Sequence, residues 1–580
     1  MTPHARAGRW LAGGAVYALL GWSGSALLAQ SPTPSALPIP PGTQAPAPIV
    51  VANPVPPAPV GSTPATPLVV VDPSAAPTPT PAADGAPADD IRNKVPPVRP
   101  LPRPGNFPIL PTGPGYYSAL DMLTGDYRQA PPKYAYPRIS PNIGVYYDAD
   151  FRYLDDPKNT DTDYADPLKR IRIGDNWLLS TGGELRNRYM SEYNSRLTAN
   201  NNNYDLARAR LNADLWYGDS FRVFAEFIGA YSSPQNLAPL PTDINKADFL
   251  NLFVDVKIFD LDGKPGYVRV GRQELALGSQ RLVSPLDWSN TLRTFQGVRA
   301  TRTGEDWDAD LFWVKPMVLN PNQLDSWDDT QDFAGGYLTY HPTKTSLIDG
   351  YYLMLDSRLP TTQLGLTRGP FTLNTFGSRY AGNQGSFLWD FEGAMQLGTI
   401  NSTGSRQDVV AGMATAGLGY NFKDVAWNPT LWLYYDYASG GNNGTGTDHT
   451  FNQLFPFGHY YLGWTDLVGR QNIQDLNLHL YLYPTPWITL WIQYHHFWLA
   501  DSTDALYNKS GVAYRRDATG AAGNDVGQEV DFNVNFHLTK HVDIFTGYSY
   551  LFGGEFLKKT AGATGAVNAS STFVAVTYKW

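Results

Sequence analysis

The chain runs to 580 residues with no cysteine and a formal net charge of −9. Those counts exclude disulfides, thiolate metal sites and a lipid-modified N-terminal cysteine, and they argue against a nucleic-acid partner. Hydrophobic residues make up 42% and aromatics 13%, with 35 Tyr and 16 Trp, yet no stretch beyond the N-terminus stays apolar for the ~18 residues that a spanning helix needs.

Residues 1–29 read as a secretory signal peptide. Arg6 and Arg9 give a positive start, Leu11–Leu20 an apolar run, and Gly24, Ser25 and Ala26 or Leu28 and Ala29 a small-residue exit. Residues 30–115 are dominated by Pro, Ala, Thr and Val, with almost no aromatic residue before Phe107. Such a segment buries too little apolar surface to offset the cost of ordering it, so a disordered, partly polyproline II tether in the periplasm is expected. It serves either as a plain spacer or as a docking site for periplasmic export machinery. Residues 116–176 are aromatic and charged without a clear period, and are expected to form an ordered lead-in at the periplasmic mouth of a barrel.

From residue 177 to 580 about eighteen alternating segments of about ten residues follow one another, joined by long polar loops and tight turns in alternation. Between Tyr204 and Tyr217, Ala207, Ala209, Leu211, Ala213, Leu215 and Tyr217 take one side; Arg208, Arg210, Asn212 and Asp214 take the other. A strand sends successive side chains to opposite faces, so this ribbon has one oily and one charged face. Strands are predicted at 177–190, 204–217, 220–231, 246–258, 265–275, 292–302, 307–315, 331–340 and 347–355. Nine more are predicted at 371–380, 385–397, 408–421, 427–438, 471–484, 487–500, 526–538, 541–552 and 571–580. Long connections alternate with short ones, and the last strand ends on an apolar row of Val574, Val576, Tyr578 and Trp580. The fold class expected is all-β: a transmembrane antiparallel barrel of about 18 strands in the Gram-negative cell outer membrane, behind a disordered proline-rich segment.

If the oily face meets lipid, the charged face looks inward, because a charge on the lipid face near mid-membrane costs about 2–4 kcal/mol. Parity then assigns Arg186, Arg188, Arg208, Arg210, Arg222, Arg269, Arg293 and Arg299 to the lumen, with Glu184 and Glu226 placed to pair with them. Later strands are more acidic inside, through Asp308, Asp310, Asp390, Glu392, Asp475, Glu529, Asp531 and Asp543, so a polarised lumen is expected. Arginine rings favour anions, and their planar forks suit carboxylates. Alternatively, each arginine simply pairs with a neighbouring carboxylate to stiffen the wall. His495 and His496 are adjacent on one strand and so face opposite ways, which rules out a shared metal. The Asp308 and Asp310 pair invites a glycosidase reading, but paired acids are the expected lining of a water-filled barrel. No catalytic residue, cofactor or metal site is assigned.

Several segments resemble the alginate-export family of outer-membrane proteins: Asp148–Asp156 (DADFRYLDD), Gly182–Arg186 (GGELR), Val270–Leu275 (VGRQEL) and Gln280–Trp288 (QRLVSPLDW). Arg293–Arg299 (RTFQGVR), Phe451–Pro456 (FNQLFP) with Gly458 and His459, and Asp466–Arg470 (DLVGR) complete the set. The resemblance implies an 18-stranded monomeric barrel that secretes an anionic polysaccharide through an arginine-rich constriction gated by loops. It implies that Arg272, at the outer end of a strand, joins the pore-lining arginines, with Asp287, Trp288 and Asn290 on the pore loop after it. The loop around Phe451–Arg470, rich in aromatics for a solvated loop, is then a lid or a sugar-stacking surface or, equally, a large extracellular loop packed on itself. The function expected is passive export of an alginate-like polymer. The alternatives are an uptake porin for small carboxylates or oligosaccharides and, less favoured, a barrel-borne enzyme acting on glycans.

Overall fold

The computed structural model describes residues 90–96, 123, 145–157, 159 and 163–580, apart from 365, 403, 442–445, 486, 540 and 564. The expected signal peptide and most of the proline-rich segment lie outside the described residues. Eighteen antiparallel strands succeed one another around a closed barrel. They are β1 Trp177–Tyr193, β2 Asn202–Tyr217, β3 Phe221–Ser232, β4 Asn245–Leu261, β5 Lys264–Gln273 and β6 Phe295–Thr303. Next come β7 Trp307–Val318, β8 Gln331–Thr343, β9 Ser346–Ser357, β10 Leu366–Gln384, β11 Phe387–Ser402 and β12 Ser405–Asn421. The circuit ends with β13 Thr430–Ala438, β14 Ile473–Thr485, β15 Ile488–Trp498, β16 Asp525–His537, β17 Val542–Gly553 and β18 Ala569–Lys579. β18 closes on β1 with Glu184 opposite Lys579 and Leu185 opposite Tyr578. The terminal Trp580 ring covers Gly183 so closely that a Cβ there would lie 2.5 Å from it. Closure leaves no edge strand with unpaired backbone groups facing lipid.

The period-two pattern has its cause in the two solvents. Leu185, Tyr189, Leu211, Phe227, Val270, Leu311 and Trp313 are exposed on the outside, while Glu184, Arg186, Arg188, Arg208 and Arg210 are buried inside. Tight turns at 218–220, 262–263, 304–306, 344–345 and 385–386 lie at one end, the end that outer-membrane barrels turn to the periplasm. Loops 194–201, 233–244, 274–294, 319–330, 439–472, 499–524 and 554–568 lie at the other.

The lumen is filled by two of those outer loops. In loop 274–294, Leu275, Leu277, Leu282 and Val283 pack with Phe295, Phe333, Phe451 and Phe457 in the largest apolar cluster. The two loops also pair through their backbones: Ser284 N donates to Phe455 O, Phe455 N to Leu282 O, and Phe457 N to Gln280 O, at 2.9–3.0 Å. Gly278, at φ +52°, makes the sharp turn against Tyr337, whose hydroxyl occupies the space that a Cβ would need. Loop 439–472 carries one helical turn, Gly458–Tyr461, all four residues of which are buried.

The described part of the expected lead-in, from residue 145 onward, also enters the barrel, while most of residues 116–144 lie outside the described residues. Tyr146–Asp148 forms a 3-10 turn in which Tyr146 and Tyr147 are buried, and Tyr147 packs with Phe224 and Phe253. Part of the expected tether departs from disorder: Ile91–Lys94 is a helical turn capped by the Asp90 side chain, which accepts from Arg92 N. The reason is local. Ile91 and Val95 are an apolar pair one turn apart, and they bury against Leu178 and Trp216 at the periplasmic mouth.

Candidate functional site

The first strands build a ladder of guanidinium groups along the inner wall. Cross-strand register places Arg186 opposite Arg208, Glu184 opposite Arg210, Arg222 opposite Asp255, and Arg269 opposite both Asp255 and Arg299. Directly opposed residues share a face, so acids and arginines interleave on the lumenal side.

Most rungs are neutralised within the wall. Arg208 contacts Glu184 at 2.7 Å and Asp287 at 2.9 Å, and Arg210 contacts Glu226 at 2.6 Å. Arg222 pairs with Asp214, and Arg269 with Asp255, both at 2.7 Å; Arg299 pairs with Asp310 at 2.6 Å. Two rungs differ. Among the described residues, no carboxylate lies within ion-pair distance of Arg186 or Arg188, although both are buried. An uncompensated buried charge costs several kcal/mol, and here loop carbonyls offset that cost. Arg186 donates to Asp287 O at 3.1 Å and Ser289 O at 2.8 Å, and Arg188 donates to Trp288 O at 2.6 Å. Asn290 ties the same stretch to the wall, donating from Nδ2 to the carbonyls of Ala207, Tyr231 and Asp243 at 3.0–3.1 Å. Asp287, Trp288 and Asn290 therefore sit together on the outer rungs.

Trp288 joins the two loops. The Arg188 guanidinium carbon lies 3.9 Å from its ring centroid on one side. On the other, His459 of the second loop stacks at 4.1 Å with a 13° tilt. Trp464 meets Trp288 edge-on at 5.2 Å.

Two of the expected wall arginines lie elsewhere. Arg293 is not on a strand: β6 starts at Phe295, and Arg293 belongs to the returning arm of the pore loop, donating to Ser284 O and Pro456 O. Arg272 is on β5 opposite Leu252, whose side chain is exposed, so parity puts it on the outward row. It is clamped to Asp248 at 2.8 Å and donates to Asp325 O at 2.9 Å.

The Asp325 side chain beside this clamp gives loop 319–330 an expected pH dependence. Burial, with the Asp248 carboxylate beside it, pushes the Asp325 carboxyl from 3.8 up to about 6. A carboxyl raised by folding stabilises the docked loop at low pH and loses that contribution as pH rises through the raised value. Amide exchange in residues 319–330, corrected for its intrinsic pH dependence, is therefore expected to speed up between pH 4 and pH 6, and Asp325→Asn should flatten the profile. A flat profile in the unaltered chain would remove the switch.

The expected charge contrast between the two halves of the lumen is muted, because arginines outside the predicted set enter the acidic half. Arg281 reaches from the pore loop to Asp390 at 2.6 Å and Glu392 at 2.8 Å, and Arg379 on β10 also holds Asp390 at 2.8 Å. Arg470 reaches Asp436 at 2.5 Å. Arg281 and Arg470 stand in the QRLVSPLDW and DLVGR segments, but on loops, where parity gives no direction. Asp310 is held by Arg299, and Asp308 by His341 at 3.0 Å. His495 is buried and bonded to Asp475 at 2.8 Å, whereas His496 is half-buried beside Trp498.

The family model described as "Alginate export" matches residues 177–569. No curated protein matches the chain. Among solved structures, OccK8 (OprE) of Pseudomonas aeruginosa is 12% identical, with a TM-score of 0.47 over 69% of this chain and 98% of that one. OprD of the same organism is 11% identical, with a TM-score of 0.45 over 69% and 94%. The match to the family spans most of the barrel, from its first strand into its last. This chain belongs to the alginate-export family and is a channel of the Gram-negative outer membrane.

Proposed function

We propose that the channel passes an anionic, alginate-like polysaccharide outward, chemically unaltered and driven by a gradient or by upstream polymerisation. The observation that carries this reading is the cover over Arg186, Arg188 and Arg208. Those groups are met by the pore loop, which offers carbonyl oxygens and one carboxylate, Asp287, while Glu184 of the wall also holds Arg208. A uronate polymer offers the same chemistry, carboxylates with hydroxyl and ring oxygens, and can take over each contact as the loop withdraws. Arg210 strengthens the case, because its terminal nitrogens are buried without a hydrogen-bond partner. Planar guanidinium forks bind carboxylates through paired charge-assisted bonds. In this reading the barrel works as a monomer, and the proline-rich segment spaces it from, or docks, periplasmic export machinery.

A bilayer recording tests the proposal. Arg186→Gln with Arg188→Gln leaves every wall ion pair intact, so the barrel should assemble normally. Each lost charge-assisted bond is worth about 1.5–3 kcal/mol, so block by an oligouronate should weaken ~10-fold or more. The reversal potential in a salt gradient should move toward cations. Unchanged block and unchanged selectivity would take these arginines off the transport path. An unaltered channel that is weakly selective and indifferent to uronates would instead be a porin for small carboxylates.

A further inference from the structure

Tyr146 and Tyr147 occupy the periplasmic half of the same arginine ladder. The Arg210 guanidinium carbon lies 4.3 Å from the Tyr146 ring centroid, and the Tyr146 hydroxyl donates to Glu184 at 2.9 Å. One rung lower, Arg269 lies 4.4 Å from the Tyr147 ring centroid, and Arg222 donates to Tyr147 O. Phe224 and Phe253 meet the Tyr147 ring edge-on at 5.7 and 5.2 Å. The two rings thus do on the lower rungs what Asp287 and Trp288 do on the upper ones. Each covers a guanidinium face that a passing sugar acid would use.

The segment bearing these tyrosines is strapped at the mouth. Arg170 holds Asp155 at 2.5 Å and donates to Arg92 O at 2.7 Å, which fastens it to the Ile91–Lys94 turn. It is also tied to the outer gate. The Tyr147 hydroxyl donates to the carbonyl of Glu274, the first residue of the pore loop, at 2.7 Å. A polymer arriving from the periplasm meets this strap before it meets the loop.

We propose that residues 145–157 form a second, periplasmic gate, an internal occupant of the lower arginine rungs that must leave for the channel to conduct. The inference builds on the export reading, but its test does not depend on the cargo. Two features suit it to a gate. The contacts are aromatic faces on guanidinium groups, worth about 0.5–2 kcal/mol each, so the strap can leave without breaking a wall ion pair. Its hold on Glu274 means that its departure frees one end of the outer loop.

The absence of cysteine makes the test specific. The full-length Tyr146→Ala, Tyr147→Ala variant removes the rings, and Asp155→Cys with Arg170→Cys places two thiols for a reductant-cleavable bis-methanethiosulfonate bridge. Chloride conductance is recorded in bilayers, both in the native loop background and with Trp288→Ala, so that the outer gate cannot mask the inner one. Folding is checked by the heat-modifiable migration of the barrel. The ring-free variant should conduct several-fold more than its parent. The bridged variant should conduct several-fold less and recover on reduction. Equal conductance of ring-free, bridged and reduced channels in both backgrounds would overturn the proposal, whatever their ion selectivity. Loss of the export reading would appear separately, as the absence of uronate block in a channel whose strap still gates.

Discussion

Asp287→Asn is expected to hold the channel open. Asp287 sets a pore-loop carboxylate 2.9 Å from Arg208 on the outer rungs and 3.7 Å from Arg210 below it, all three fully buried. Removing one partner from a buried pair costs about 3–5 kcal/mol. Arg208 keeps Glu184, so the lower end applies, and about 3 kcal/mol shifts the balance from seated to withdrawn loop by ~100-fold. The wall is untouched by this change, which separates a gating effect from a collapse of the barrel. Single channels should show a large rise in open probability with stronger anion preference, since a negative charge leaves the lumen while the arginines remain. Protease sites in residues 274–294 should become accessible from outside in parallel. A variant that stays shut, or that opens with cation preference, would contradict the idea that Asp287 stands in for the carboxylate of a substrate.

The strands were legible because two solvents write a period of two into every one of them. Leu211 faces lipid and Arg210 faces the lumen for the same reason, and parity carried that assignment from strand to strand. The rule fails where the chain stops touching lipid. Predicted strand 265–275 continues past Gln273 because Glu274 and Leu275 extend the alternation, yet both are buried inside the barrel, as the start of the loop. The predicted start at 292 erred at the loop's other end, which made Arg293 look like a wall residue. Arg272 departs from expectation for another reason: it stands on a strand, but its row faces out and its side chain turns to Asp248. A loop folded into a lumen has polar and apolar neighbours on all sides and therefore no period. Only its composition showed, as the aromatic excess between Phe451 and Arg470. Arg281, Arg470 and the tyrosine strap fall in the same blind spot, because their roles depend on which wall they reach. The QRLVSPLDW and DLVGR segments marked where to look without showing what the residues hold.

Trp288→Ala is expected to release both outer loops at once. Trp288 is the middle of a column that begins at Arg188, passes through the stacked His459 and ends on the edge of Trp464. Truncating a buried Trp costs about 3–5 kcal/mol, and the lost cation–π contact adds about 0.5–2 kcal/mol. Loop 274–294 loses its stacking contact with Arg188, and loop 439–472 loses the ring on which His459 rests. A double-mutant cycle with His459→Ala distinguishes one gate from two. Residues in contact couple by about 0.5–3 kcal/mol, so the double variant should open the channel little more than Trp288→Ala alone. Strictly additive effects on open probability would mean that the loops move independently and that the stack only fills space. Strong coupling would make the 4.1 Å contact between Trp288 and His459 the joint through which two loops, distant in sequence, close the outer end of the arginine ladder together.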